Sequence, residues 1–222
     1  PIMVHNSMAF DGAVQGTVNV APANYRTEGL GEPAEVDFAG AQLSYQLLEP
    51  KNSEVFSTQL HYQMGEMRVD GHPIGQMELN LDLQRWDHEV LALLSNSERV
   101  DAMTEEQLQP YLVQLLKHQP ELTLMPLSWK NAAGTSYVKS EVLFAATAAD
   151  AATSDEVDLA QLFERLNVEV QLSRPMLQGL FAQDSFMSNL ADMLFMQMVR
   201  QWEQVGLVVY DGNNASLRLI YE

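Results

Sequence analysis

The 222-residue sequence predicts an α+β fold, a mainly antiparallel, curved β-sheet built from successive hairpins with amphipathic helices packed on one face. Three observations predict it. Apolar and polar residues alternate through most of the first half, short Gly- or Asn-bearing turns separate these runs, and a helical period takes over later with no strand–helix–strand fingerprint.

The clearest alternation is Met77, Leu79, Leu81 and Leu83 against Glu78, Asn80, Asp82 and Gln84, which places one face in a core and the other in water. Upstream, Phe56, Thr58, Leu60, Tyr62 and Met64 repeat the pattern, and Gly65 permits a bulge before Met67 and Val69. Asp70-Gly71-His72-Pro73-Ile74-Gly75 joins the two strands, Asp-Gly being a strong hairpin signal because Gly accepts a positive φ without steric cost. Further strands are expected at 15–20, 34–38 and 41–48, with Ala21 to Pro33, which holds two Pro and two Gly, as a loop.

Asp87 is placed to cap a short helix over His88 to Leu94. Thr104 and Gln107 form a capping box for a second helix, whose apolar stripe is Leu112, Leu115 and Leu116, and Pro110 is expected to kink it or delay its start. A second hairpin follows, with Leu122 to Trp129 running up, Asn131 to Gly134 turning and Tyr137 to Phe144 returning. Ala-rich Ala145 to Thr153 breaks the pattern and reads as a linker. It divides a β-rich portion with two short helices, 1–144, from a helix-rich portion, 145–222, the two packed as one unit. Val157 to Leu166 reads as a helix and Val168 to Leu172 as a strand. Asp184 to Val205 is the longest helical run, roughly 33 Å if continuous, with Gly206 as its stop and a last hairpin on Asp211-Gly212-Asn213-Asn214.

Charge and composition exclude several functions. Thirty acidic and twelve basic residues give a net charge of −18, with the basic residues scattered, so a nucleic-acid binder is not expected. No run is long and apolar enough to span a bilayer, and the absence of Cys removes disulfides and thiolate zinc sites. His88-Glu89 is followed by Ala92 where a zinc hydrolase needs its second His, no GxSxG occurs, and Gly29-Leu30-Gly31-Glu32-Pro33-Ala34 mimics a dinucleotide loop without a following helix. The five His residues, 5, 61, 72, 88 and 118, fall in separate elements. Asp150, Asp155, Glu156 and Asp158 lack the spacing of a calcium loop and read as an acid-rich helix start. No catalytic, cofactor-binding or metal-ligating set is predicted.

The succession QLHYQMGEMRVDGHPIGQMELNLDLQRWDHEVLALL (59–94), PELTLMPLSWKNAAGTSYVKSEVLF (120–144) and GLVVYDGNNASLRLIYE (206–222) resembles the YdgA-like family of bacterial envelope proteins. There a strand, NGxxxG-type turn, strand and short helix precede a PLSWK hairpin, and a GLxxxDGxx hairpin lies near the carboxyl end. The resemblance implies a longer parent chain of proteobacterial type with one amino-terminal inner-membrane anchor absent from this segment, a large periplasmic portion to which the segment belongs, and no activity to carry over.

Methionine marks the candidate site. Phe186, Met187, Met193, Met196, Met198 and Trp202 lie on one helix, where flexible, polarizable Met side chains suit an apolar groove or a subunit interface. A core helix against the sheet explains the same stripe, and exposure of Met196 beside Met193 separates the two. The expected function is a non-catalytic periplasmic scaffold or binding domain that engages an envelope protein, a second copy of itself or an apolar, lipid-like ligand. The alternative is an envelope glycan hydrolase with paired carboxylates beside exposed Trp or Tyr.

Overall fold

The computed structural model describes residues 2–8, 13–27, 34–48, 53–94, 96–152, 159–181 and 184–222. Its strands in chain order are β1 Ile2–Met8, β2 Ala13–Val20, β3 Ala23–Thr27, β4 Ala34–Phe38, β5 Ala41–Leu48, β6 Val55–Val69, β7 His72–Asp87, β8 Glu121–Asn131, β9 Gly134–Phe144, β10 Phe163–Ser173, β11 Val209–Tyr210 and β12 Asn214–Tyr221. The helices are α1 His88–Leu94, α2 Ser97–Asp101, α3 Glu105–Lys117, α4 Ala148–Ala151, α5 Leu159–Leu162, α6 Arg174–Leu180 and α7 Ser185–Gln204.

One open antiparallel sheet holds every strand, in the order β1-β2-β5-β6-β7-β8-β9-β10-β12-β11. The β3–β4 hairpin attaches through β4 to the far end of β6. Ala23 to Thr27 therefore forms a strand within a segment expected to be a loop, while Gly29 to Pro33 lies outside the described residues. Its short Ala-Asn-Tyr-Arg-Thr sequence carries no run of alternation, and only pairing with β4 makes it a strand.

The long β6–β7 hairpin closes on Asp70 and Gly71 alone, both at positive φ (50° and 78°), so His72 to Gly75 is already strand. Register shifts flank Gly65, where a Cβ would sit 3.0 Å from the Ala39 Cβ. Gly75, at φ +131°, passes so close to β8 that a Cβ would lie 2.5 Å from both the Lys130 carbonyl oxygen and Trp129 Nε1.

Asp87 caps α1 as expected, its Oδ1 accepting from the Glu89 and Val90 N–H groups at 2.9 and 3.0 Å. The α3 helix starts after Thr104, whose N–H donates to Gln107 Oε1, and runs through Pro110. The Ala-rich segment read as a linker is instead α4, with Ala148, Ala149 and Ala151 buried and the first two packed against Leu116 of α3. Small side chains mark close packing there. Of the helix expected over 157–166, the described residues from 159 onward form α5 and then strand, since Phe163 onward pairs with β9, and residues 153–158, with their acids, lie outside the described residues.

The helices gather at the two ends of the sheet. At one end α1, α3 and α4 enclose Val90, Leu93, Leu115 and Leu116. At the other, α6 touches β7, β8 and β9, and α7 packs on α6 and β11 around Phe195, Val199, Val208 and Ala215. No described helix makes more than marginal contact with β2, β5 or β6.

Candidate functional site

The α7 helix begins at Asp184, whose Oδ1 accepts from the N–H groups of Phe186 and Met187, and ends at Gly206 (φ 72°), where Leu207 N–H reaches the Trp202 carbonyl. Its buried seam runs through Phe195 and Val199. Asp192 continues that seam, clamped by Arg174 through Nε (2.5 Å) and Nη2 (2.8 Å) and joined by Gln178 Nε2 at 2.9 Å. Arg174 holds the Asp192 carboxyl below the usual range, and Asp192 raises the guanidinium in turn.

The six candidate residues do not share one surface. Phe186 (72% exposed) and Met193 (57%) project into solvent, Met187 (37%) and Trp202 (36%) are at the border of exposure, and Met196 and Met198 pack against the Phe195 cluster. Met196 is thus a half-buried contact beside an exposed Met193. The cleft that these two share, about 820 Å³, is walled mainly by Arg174, Asp192, Gln197, Arg200 and Gln201.

Two polar sites that the sequence did not mark come from strand register. Cross-strand partners form the rows Gln15–Gln46–Gln59–Asp82–Thr123–Glu141 and Thr17–Ser44–His61–Asn80 on one face. A trough of about 720 Å³ lies over these rows, and a second of about 980 Å³ over Asn19, Gln42, Gln63 and Glu78. The trough side chains bond chiefly to one another. Gln59 Nε2 donates to Asp82 Oδ2 (2.9 Å), His61 Nδ1 meets Asn80 Oδ1, and Asn80 Nδ2 donates to Glu78 Oε1 (3.0 Å). Among the described residues Asp82 is the sole carboxylate lining the 720 Å³ trough, and no indole lines it.

The second polar site is a cleft of about 700 Å³ between α1, α3 and the Ser53–Glu54 segment. Buried Asp87 Oδ2 accepts from Gln114 Nε2 at 2.8 Å, His118 Nε2 stands 3.5 Å away, and the same nitrogen is 4.0 Å from Glu54 Oε2. Burial alone pushes the Asp87 carboxyl up, but the N–H groups of Val90 and Glu89, the Gln114 amide and the nearby His118 together hold it below the usual value. Two of the three tryptophans are pinned to the sheet, Trp86 donating to the Glu121 carbonyl (3.0 Å) and Trp129 to the Ile74 carbonyl (2.9 Å). Among the described residues no three His, Asp or Glu side chains converge on a metal position.

The opposite sheet face carries the largest feature. Its rows are Val20–Ala41–Met64–Met77–Trp129, Val18–Leu43–Tyr62–Leu79–Leu127–Val138–Val170–Leu217, Gly16–Tyr45–Leu60–Leu81–Leu124–Ser140–Val168–Leu219 and Val14–Leu47–Thr58–Leu83–Leu122–Val142–Leu166–Tyr221. They contain no charged residue; only Leu83 among them is buried, and at the β12 edge Leu217 packs against the Phe195 cluster under α7, while the rest stand without a helix over them among the described residues. At strand spacing near 4.8 Å this field is roughly 34 Å wide and 20 Å tall, or about 700 Å². Alternation placed these residues on one face; it carried no signal that the face lacks a cover.

No curated protein and no solved structure matches the chain. The model of one family matches residues 41–222, from the first residue of β5 through β12, and leaves β1 to β4 outside the match. By that match the chain belongs to DUF945, a family of bacterial proteins of unknown function.

Proposed function

We propose that the chain is a non-catalytic binding scaffold of the bacterial envelope, a periplasmic part of a YdgA-like protein held by an inner-membrane anchor, and that it engages its partner through the apolar sheet face. The uncovered face carries this reading. The accessible surface is 14239 Å², against about 10,000 Å² for a compact monomer of this mass. The excess fits a sheet with a layer missing. The apolar field has a footprint of about 700 Å², on the scale of the largest patches that monomers leave in water. The likeness to YdgA-like proteins supports the envelope location, and the acidic character suits a domain that stays off anionic lipid. A glycan hydrolase of the usual kind requires two free carboxylates flanking the scissile bond; among the described residues the 720 Å³ trough offers Asp82 alone, and in the α1–α3 cleft Asp87 is taken up by the Glu89 and Val90 N–H groups and the Gln114 amide.

These 222 residues hold no cysteine, so an introduced thiol reports its own position within them once any cysteine elsewhere in the parent chain is replaced. In cells whose outer membrane has been permeabilised, a maleimide that cannot cross the inner membrane should label a His61→Cys variant quickly and a Leu60→Cys variant slowly. Labelling of His61→Cys only after the inner membrane is opened removes the periplasmic location. Equal labelling of the two variants removes the docking face.

A further inference from the structure

The occupant of the apolar face follows from its shape, charge and size, and the inference rests on the docking reading above. The two cavities that lie on the sheet, about 720 and about 980 Å³, both open on the polar side, so the apolar side does not cup an acyl chain or another small ligand. A membrane surface is a poor match as well, because the field has no Lys or Arg to meet lipid headgroups and the chain carries −18. What fits an uncharged sheet face is another sheet of the same hand, laid across it about 10 Å away with strands roughly 30° apart.

We infer that the apolar face is covered by the same face of a second copy of this chain, giving a two-layer sandwich about a twofold axis. Size agrees, since a field of about 700 Å² per copy compares with about 800 Å² per partner in a stable interface. Charge agrees too. Glu78, Asp82, Glu121 and Lys130 of β7 and β8 alternate onto the other face, so pairing turns these charges outward. The exposed members of the rows, Leu127, Leu219 and Tyr221, extend the contact toward β12.

Light scattering on the eluting protein across a concentration series, with maleimide labelling in parallel, tests the pairing. The expected result is a dimer in which Leu79→Cys becomes protected as concentration rises and Asn80→Cys, its neighbour on the polar face, does not. Leu79→Asp should weaken the dimer by at least about 100-fold, since an unpaired carboxylate would be buried in the contact of each copy. Circular dichroism of Leu79→Asp and Leu79→Cys shows whether each keeps the fold, and the labelling result stands even if the Asp variant unfolds. A monomer in which Leu79→Cys is protected at every concentration overturns the second copy while leaving a docking face. A monomer in which Leu79→Cys reacts as fast as Asn80→Cys overturns both readings. A dimer whose Leu79→Cys stays reactive places the contact elsewhere and overturns the inference.

Discussion

Asp87 is a last strand residue, a helix cap and the acceptor for a distant amide at once, so one carboxylate ties α1, β7 and α3 together. Its folded-state pKa lies below the ordinary carboxylate value, so its charge stabilises the fold fully above about pH 4 and progressively less as pH falls through the depressed value. Asp87→Asn should therefore melt lower than the native chain at pH 7, and the two melting curves should converge on acidification. Asp87→Ala, which also removes the cap and strands the Gln114 amide, should cost about 2–3 kcal/mol in urea unfolding at neutral pH. Position before an apolar run announced the cap. Gln114 and His118 were not legible, because they arrive from a helix that only the folded chain brings near. Glycine gives a sharper contrast at this scale. Gly71→Ala, with nothing near its Cβ, should cost about 1 kcal/mol for its positive φ, whereas Gly75→Ala forces a methyl against the β8 backbone and should cost more than about 2 kcal/mol in the same assay.

Helix α7 separates what a pattern can say from what it cannot. Asp184 and Gly206 identified its ends because capping is local chemistry between neighbouring residues. Its buried side was legible only in part. The apolar arc that the sequence suggests, Met187, Leu190, Ala191, Leu194, Phe195, Met198, Trp202 and Val205, holds Phe195 and Met198 of the seam but not Val199 or the charged Asp192, and its Leu194 and Val205 are exposed. Arg174 explains the rotation, since a two-point ion pair turns an acid inward and carries the helix with it. Asp192→Ala should lower stability by about 1–2 kcal/mol in thermal melts and speed amide exchange along Ser185–Gln204. The short helices α2 and α6 hold too little periodicity to show themselves; α1, no longer than α6, was legible through its Asp87 cap, whereas the Asn96 and Ser173 caps were not read.

Across the whole molecule, the strands were legible and their covering was not. Alternation reports that each strand has an apolar side, but whether another layer meets that side depends on partners that the strand does not encode. The uncovered field also predicts how the chain unfolds. Because less apolar surface is buried than in a compact domain, the slope of stability against urea should fall below the value usual for 222 residues when measured on dilute protein. If pairing fills the gap, Tm should rise with protein concentration, which calorimetry over a hundredfold range would detect.

From β5 to β10 each strand lies beside the one that follows it in the chain. Such a meander can be assembled like a zip, each new ribbon finding a waiting edge within a few dozen residues, so little chain entropy is spent on distant closures. Lengthening or shortening it by one hairpin would change its width without disturbing its plan, which is how the ribbons ahead of β5 can be appended to the part held in common with the family.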